Sequence, residues 1–90
     1  MKITYDPAKR DKTLEEQGLD FLRAPEIFAS EQYTCQDERK DYGEPRFITV
    51  GMLEGRMMVL VWTPRGNTQH IISLRKANER EQARYHIHLG

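Results

Sequence analysis

The sequence predicts an α+β fold in which two N-terminal helices pack on a mainly antiparallel sheet of four to five strands, followed by a C-terminal helix. Helix start and stop signals occupy the first third of the chain, whereas side chains from Arg46 onward alternate with the period of two of a strand. Ninety residues with 38% hydrophobic content support one modest core. We therefore expect residues 1–90 to form a single domain.

Capping signals place the first helix. Residues 3–5 alternate as a short strand does, and Asp6 followed by Pro7 is typical of an N-cap and the first helical residue. We expect this helix to run from Pro7 to about Glu16 and to end at Gly18, since glycine favours the position after a helix.

A second helix is predicted to begin at residues 19–21, where Asp20 supplies the cap. Pro25 lies early enough in it to be tolerated or to bend it. Its apolar positions include Leu22, Ile27 and Phe28. Cys35 is expected in a strand, and the charged, glycine-interrupted stretch 37–43 is expected to be an exposed loop.

The middle of the chain predicts a hairpin. Alternation from Arg46 ends at a turn near Glu54 and Gly55, and the return strand runs from Arg56 to Thr63. This strand is apolar from Met57 to Trp62, which is typical of a central strand covered on both faces. The N-terminal helices can cover one face, and the other requires the C-terminal helix or a second polypeptide.

The last strand leads to a pair of cations. After a turn at residues 64–67, a strand from Thr68 to Leu74 delivers Arg75 and Lys76 at its exit, and residues 78–81 have the Asn-x-x-Glu spacing of a capping box. An arginine beside the free N–H groups of a helix start can present its planar fork to a phosphate. The alternative is that both residues are solvated charges.

Charge is unevenly distributed. Residues 1–45 carry 7 Lys or Arg against 11 Asp or Glu, and residues 46–90 carry 7 against 3. The basic half favours a polyanion surface or an ionic partner, with weak non-specific affinity for RNA. A single cysteine and the lack of Cys/His metal-ligand spacing predict a reducing compartment, no cofactor and no metal. The longest apolar run is six residues, so we expect a cytoplasmic protein without a membrane segment.

These cations suggest RNA cleavage. Attack of a 2′-hydroxyl on the adjacent phosphate requires a proton acceptor, positive donors and an acid for the leaving oxygen, and needs no metal. Arg46, Arg65, Arg75 and Lys76 converge if their strands are neighbours. Arginine keeps its proton up to pH ~12, so Arg46 and Arg75 are assigned to phosphate stabilisation. The candidates for RNA binding are Arg65, Arg39 and Arg80.

Four residues are candidates for the proton transfer: His70, Lys76, Glu44 and Tyr85. Three of them also have a purely structural interpretation. His70 can pack half-buried in its strand, Glu44 can pair with Arg46, and the Tyr85 ring can pack on the sheet.

Several short patterns point to one family. They are Tyr5-Asp6-Pro7 with Lys9, Gly18 with Phe21, Glu44 with Arg46-Phe47-Ile48 before Gly51, and Ile71-Ile72-Ser73-Leu74-Arg75-Lys76-Ala77 followed by Glu81 and Tyr85. The closing pattern is the most specific, since it is similar to an Ile-Ser-x-Arg-x-Ala…Glu…Tyr ending. Over nearly its whole length the chain resembles the BrnT toxins, ribonucleases of type II toxin–antitoxin systems with a RelE-like fold.

The resemblance implies a metal-independent endoribonuclease that inhibits growth and is neutralised by a BrnA-like antitoxin. The ribbon–helix–helix part of that antitoxin binds operator DNA, so contact with DNA would be indirect. Arg46 and Arg75 inherit candidate active-site roles. Many members have Asn at the position of Thr13 and Lys-His where this chain has Glu16 and Gln17, which implies a weaker nuclease or a different substrate. The alternatives are a non-catalytic interaction module acting through an antitoxin-like regulator and an unrelated α+β domain.

Overall fold

The computed structural model describes residues 2–89, and side chains as far as residue 87. The elements are strand β1 (Lys2–Tyr5), helix α1 (Pro7–Gln17), a 3₁₀ turn (Phe21–Arg23), helix α2 (Ala24–Ala29), strands β2 (Tyr33–Gln36), β3 (Phe47–Leu53), β4 (Arg56–Arg65) and β5 (Thr68–Lys76), and helix α3 (Glu79–Leu89). The strands form one sheet in the order β1-β5-β4-β3-β2, in which only the β1–β5 pairing is parallel. The predicted α+β class is confirmed.

Helix α1 begins and ends at its predicted caps. The Asp6 side chain accepts a hydrogen bond from the Ala8 N–H at 2.9 Å, and Gly18 adopts a left-handed φ of 69° while its N–H donates to the Leu14 carbonyl. The helix contributes no fully buried side chain. It is tied to the rest of the molecule by Arg10, which donates two hydrogen bonds to Asp20 at 2.8 and 2.9 Å.

The predicted second helix is divided in two. Asp20 caps a 3₁₀ turn by accepting from the Leu22 N–H at 2.9 Å, and α2 starts at Ala24 with Pro25 in its first turn. A 3₁₀-helix has three residues per turn instead of 3.6. The side chains of this segment therefore do not point in the directions that α-helical spacing predicts. Phe21 is 1% exposed, whereas Leu22, named among the apolar positions of the predicted helix, is 50% exposed.

Strand β4 is covered on both faces. On the first face lies the larger cluster, formed by Leu19, Phe21, Ala24, Ile27, Leu53, Met58, Leu60, Ile71 and Leu74. On the second face Val50, Val59 and Ala77 are buried, with Ile48, Met57 and Tyr85 packed against them. Since Tyr85 belongs to α3, the C-terminal helix covers part of the second face.

The pairing of β4 with β5 contains a bulge. Val61 pairs with Ser73 and Trp62 pairs with Ile71, so Ile72 is an extra residue on β5. The bulge places Ile71 and Leu74 in the same core cluster, although an odd spacing puts two residues on opposite faces of a regular strand. It also sets which β5 side chains reach the second face.

Both long strands exceed their predicted lengths. Strand β4 extends to Arg65, so the predicted turn at residues 64–67 contracts to two residues, and β5 extends to Lys76. Arg75 and Lys76 therefore lie within β5 instead of beyond its exit. None of the helices described is long and apolar enough to span a bilayer.

Candidate active site

A groove of about 320 Å³ lies on the second face of the sheet, beside α3. Its lining residues are Arg39, Ile48, Val50, Val59, Val61, Ser73, Arg75, Glu81 and Tyr85. Alternation explains this set, since Ile48 and Val50 share a face of β3, and Val59 and Val61 share a face of β4. The floor is therefore apolar, and the polar side chains come from β5, α3 and the β2–β3 loop.

Arg75 is fixed in the groove by helix α3. Its Nη1 and Nη2 each donate to one carboxylate oxygen of Glu81 at 2.7 Å. Glu81 also closes the predicted capping box: it accepts from the Asn78 N–H at 3.0 Å, and its own N–H donates to Asn78 at 2.8 Å. The helix start and the orientation of Arg75 thus depend on one carboxylate.

Arg39 reaches the same groove from the loop between β2 and β3. Its Nε and Nη2 donate to the two carboxylate oxygens of Asp37 at 2.8 and 2.7 Å, and the Tyr42 hydroxyl donates to Asp37 at 3.1 Å. The Asp37 side chain is only 1% exposed. The stretch 37–43 is a loop as predicted, but it is built around a buried carboxylate that orders it.

Each groove arginine keeps a pair of unused N–H groups. A guanidinium has five donors in a rigid plane. Arg75 uses its Nη1–Nη2 edge on Glu81 and keeps its Nε–Nη2 edge, whereas Arg39 uses its Nε–Nη2 edge on Asp37 and keeps its Nη1–Nη2 edge. Two N–H donors on one edge match two oxygens of a phosphate. Each arginine can therefore bind an anion without giving up its ion pair.

The ion pairs shift the pKa values of all four groups. The hydrogen bonds from Arg75 lower the pKa of Glu81 from 4.5 to about 2, and Glu81 in turn raises the pKa of Arg75. The hydrogen bonds from Arg39 hold the pKa of Asp37 well below its usual range. Both carboxylates are thus ionised at neutral pH, and neither is a suitable proton acceptor.

The Glu81 pKa predicts a pH-dependent contribution to stability. Because its folded pKa is about 2 against an ordinary 4.5, this contribution is present above pH 4.5 and is lost as pH falls toward 2. We expect Glu81→Gln, which can still close the capping box, to melt below the wild type at neutral pH and close to it near pH 2. Thermal unfolding followed by circular dichroism tests this, with Glu79→Gln as the matched removal of one carboxylate from the same helix. A constant difference between wild type and Glu81→Gln at all pH values would contradict the assignment.

Tyr85 stands at the α3 side of the groove. The centroid of its ring lies 5.6 Å from the centroid of the Tyr33 ring. The Arg84 guanidinium lies 5.9 Å from the centroid of the Tyr85 ring. The ring packs on the sheet, as the structural interpretation expected. Tyr85 also lines the groove together with Arg75, so packing and a role at the groove coexist.

Arg46 lies just before β3 and borders a separate cavity formed with the β2–β3 loop. Its guanidinium lies 4.0 Å from the centroid of the Tyr42 ring, and its Nε is buried without a hydrogen-bond partner. No carboxylate pairs with it among the residues described. The expected Glu44–Arg46 pair is not formed: Glu44 instead contacts Arg65 at 3.5 Å, because Arg46 is held over the Tyr42 ring.

The chain matches a known protein family over most of its length. The family model described as ribonuclease toxin, BrnT, of type II toxin-antitoxin system matches residues 5–81. The chain belongs to the BrnT family. No curated protein matches it. The matched BrnT region contains Arg39, Arg46, Arg75 and Glu81, and Tyr85 lies just beyond it. Membership of a type II toxin–antitoxin family implies an antitoxin partner.

The remaining site candidates of this BrnT-family chain lie elsewhere. Arg65 is at the far end of β4, six residues from the Val59 that pairs with Arg75, which is about 20 Å at ~3.3 Å per residue. His70 pairs with Thr63 near that end and forms a 2.8 Å hydrogen bond with Thr4. Its pKa is lowered, mainly by burial and then by Arg65.

Lys76 and Arg80 are also absent from the groove. Lys76 follows Arg75 in β5, so its side chain leaves the strand on the opposite side from Arg75, and it borders two cavities at the end of the sheet. Arg80 is an exposed residue of α3. The convergence expected for Arg46, Arg65, Arg75 and Lys76 therefore does not occur: these residues are distributed over two faces and both ends of the sheet.

Sequence reasoning missed the carboxylates of the BrnT groove. Glu81 was recognised as a cap but not as the partner of Arg75, and Asp37 was assigned to an exposed loop. Ser73, which lines the groove, was also missed. The capping-box spacing fixes Glu81 close to the end of β5 and could have indicated its contact with Arg75, whereas the burial of Asp37 has no local signal.

The residues at which the resemblance implied a departure from the family pattern lie away from the groove. Thr13, Glu16 and Gln17 belong to α1. Gln17 borders a cavity with Leu53 and Met58, both of the first-face cluster. The missing cations therefore leave the second-face groove unchanged. Among the side chains of residues 2–87, no three His, Cys, Asp or Glu form a group that could hold a metal ion.

Proposed function

We propose that this protein is the toxin of a type II toxin–antitoxin pair and that it cleaves RNA, without a metal ion, in the groove between Arg39 and Arg75. The supporting observation is that both arginines line one groove and that each is held by a carboxylate while keeping a two-donor edge. This arrangement supplies two fixed positive charges to one phosphate, which is what a pentavalent phosphorane requires.

In the proposed reaction the ribose 2′-oxygen attacks the adjacent phosphorus and the bond from phosphorus to the 5′-oxygen breaks. The products are a 2′,3′-cyclic phosphate and a 5′-hydroxyl. Arg75 and Arg39 stabilise the negative charge that develops on the non-bridging oxygens. Tyr85, at the same groove, is proposed to pass the proton between the attacking and leaving oxygens.

The rest of the second face is proposed to guide the RNA chain. Arg46 lies just before β3, and its guanidinium has no competing carboxylate among the described residues, so it is assigned to a neighbouring phosphate. Arg65 and His70 lie further along. Lys76 and Arg80 are not assigned to cleavage, since neither lines the groove.

We further propose that residues 1–90 form one RelE-like toxin domain that works in the cytoplasm. A BrnA-like antitoxin neutralises it, and DNA is contacted only through that antitoxin. One observation favours the alternative of a non-catalytic interaction module: both groove arginines are already paired with carboxylates. The two functions make opposite predictions for purified protein and RNA.

The test is cleavage of an end-labelled single-stranded RNA by the purified chain in EDTA. We expect fragments that end in a 2′,3′-cyclic phosphate, and no fragments from the same RNA carrying 2′-O-methyl groups, because the nucleophile is then blocked. A parallel reaction contains ribosomes with bound messenger RNA in a buffer with Mg²⁺, which ribosomes need to stay assembled. Intact RNA in both reactions would overturn the nuclease in favour of the interaction module, and cleavage of the free RNA that requires added Mg²⁺ would contradict the metal-free mechanism.

A further inference from the structure

A second and larger cavity lies on the other flank of α3 from the groove. It has a volume of about 810 Å³ and is lined by Met52, Gly55, Arg56, Met57, Lys76, Ala77, Gln82, Ala83 and His86. We call it the α3 cleft. Gln82, Ala83 and His86 face it from the helix, whereas Glu81 and Tyr85 face the groove. None of the residues proposed for RNA cleavage lines the cleft.

The interior of the α3 cleft is apolar and adaptable. Met52, Met57 and Ala77 supply its sheet side, and Ala83 supplies its helix side. One turn beyond Ala83 on α3, Ile87 is 84% exposed. Methionine side chains adjust to a range of inserted shapes, and an apolar patch bordered by polar residues is typical of a protein interaction site.

The border of the α3 cleft is basic. Arg56 and Lys76 line it together with His86, and no Asp or Glu is among the lining residues. Neither Arg56 nor Lys76 has a carboxylate partner among residues 2–87. Glu54, in the turn beside Arg56, is paired with Arg23 at 3.1 Å. A segment that carries carboxylates would therefore match the charge of this border.

The chemistry of the cleft favours a protein segment over RNA. Single-stranded nucleic acids bind where aromatic side chains stack on the bases, and no Phe, Tyr or Trp lines the α3 cleft. Its methionines and alanines instead match aliphatic side chains, and its two cations match Asp or Glu beside them.

We propose that the α3 cleft binds an acidic segment of the antitoxin, which inserts apolar side chains between Met57 and Ala83 and places carboxylates on Arg56 and Lys76. This inference rests on the part of the proposed function that concerns the antitoxin. It is independent of RNA cleavage, since the segment does not occupy the groove. The groove variant Arg75→Ala should therefore bind antitoxin as tightly as the wild type.

The test is calorimetric titration of the full chain with the antitoxin encoded beside it. Ala83→Glu and Lys76→Glu each place a negative charge against the acidic segment, and we expect the Kd to rise at least about tenfold for each, since like charges brought together cost several kcal/mol. Lys12→Glu, an equivalent charge reversal on the exposed surface of α1, should leave the Kd unchanged. Circular dichroism and unfolding temperature verify that the variants are folded.

An unchanged Kd in folded Ala83→Glu and Lys76→Glu overturns the proposal. So does a loss of RNA cleavage in these variants with antitoxin binding intact, because the cleft would then be an RNA surface. A wild-type chain that binds antitoxin through the cleft but leaves RNA intact supports the proposal while refuting the nuclease. The two failures are thus distinguishable.

Discussion

Replacing Arg75 by alanine is expected to abolish RNA cleavage and growth inhibition while leaving the fold intact. The change removes one of the two fixed donor edges from the transition state, a loss that typically lowers kcat by about 10²–10³-fold. The cost to stability is small because Arg75 is 47% exposed, and a surface ion pair contributes about 0–1 kcal/mol. Glu81 keeps its hydrogen bonds to Asn78, so the start of α3 is retained. The measurement is growth and total RNA integrity after induction, together with the cleavage rate of purified protein.

Two further variants show whether the charge or the geometry of Arg75 matters and whether the effect is specific to this arginine. Arg75→Lys keeps the charge but loses the planar two-donor edge, so we expect only partial recovery of cleavage. Lys12→Ala removes an exposed cation on α1 and should cleave at the wild-type rate. Retained toxicity in folded Arg75→Ala would remove Arg75 from the active site. Equal activity of Arg75→Ala and Arg75→Lys, both reduced, would support the two-donor geometry over charge alone.

Replacing Phe21 by alanine is expected to produce the largest loss of stability. Phe21 is 1% exposed in the first-face cluster, and its ring lies 6.3 Å from that of Tyr5 in an edge-to-face arrangement. Removing a buried phenylalanine costs about 3–5 kcal/mol, a large fraction of the about 5–15 kcal/mol that stabilises a small domain. Chemical denaturation gives the free energy of unfolding, and each kcal/mol lowers the melting temperature by about 4–8 °C in a domain of this size.

The neighbouring residue provides the matched control. Leu22 is 50% exposed, so Leu22→Ala should cost no more than about 0.5 kcal/mol. The pair tests the division of the second helix directly, because an uninterrupted helix would make Leu22 a core residue. Comparable losses from Phe21→Ala and Leu22→Ala would mean that the 3₁₀ turn is misplaced.

The groove could be predicted from sequence only in part. Arg75 and Tyr85 follow from local spacing, since the end of β5 and the capping box set both positions. Arg39 lies 36 residues before Arg75 in the sequence, and no local pattern indicates that both line one groove. The ion pair of Glu44 is also non-local, since Glu44 contacts Arg65 although Arg46 is closer in sequence.

What the sequence by itself determined is the local structure. The Asp6 and Gly18 caps, the Asn78–Glu81 capping box and the β3–β4 hairpin depend on hydrogen bonds and backbone preferences within a few residues. Tertiary structure alone decided which side chains share a face. The bulge at Ile72 and the continuation of β5 through Lys76 arise from the register in which β5 pairs with β4, and this register is not visible in the side-chain pattern of β5 alone. Because adjacent residues of a strand point to opposite faces, this pairing directs Arg75 into the groove and leaves Lys76 outside it.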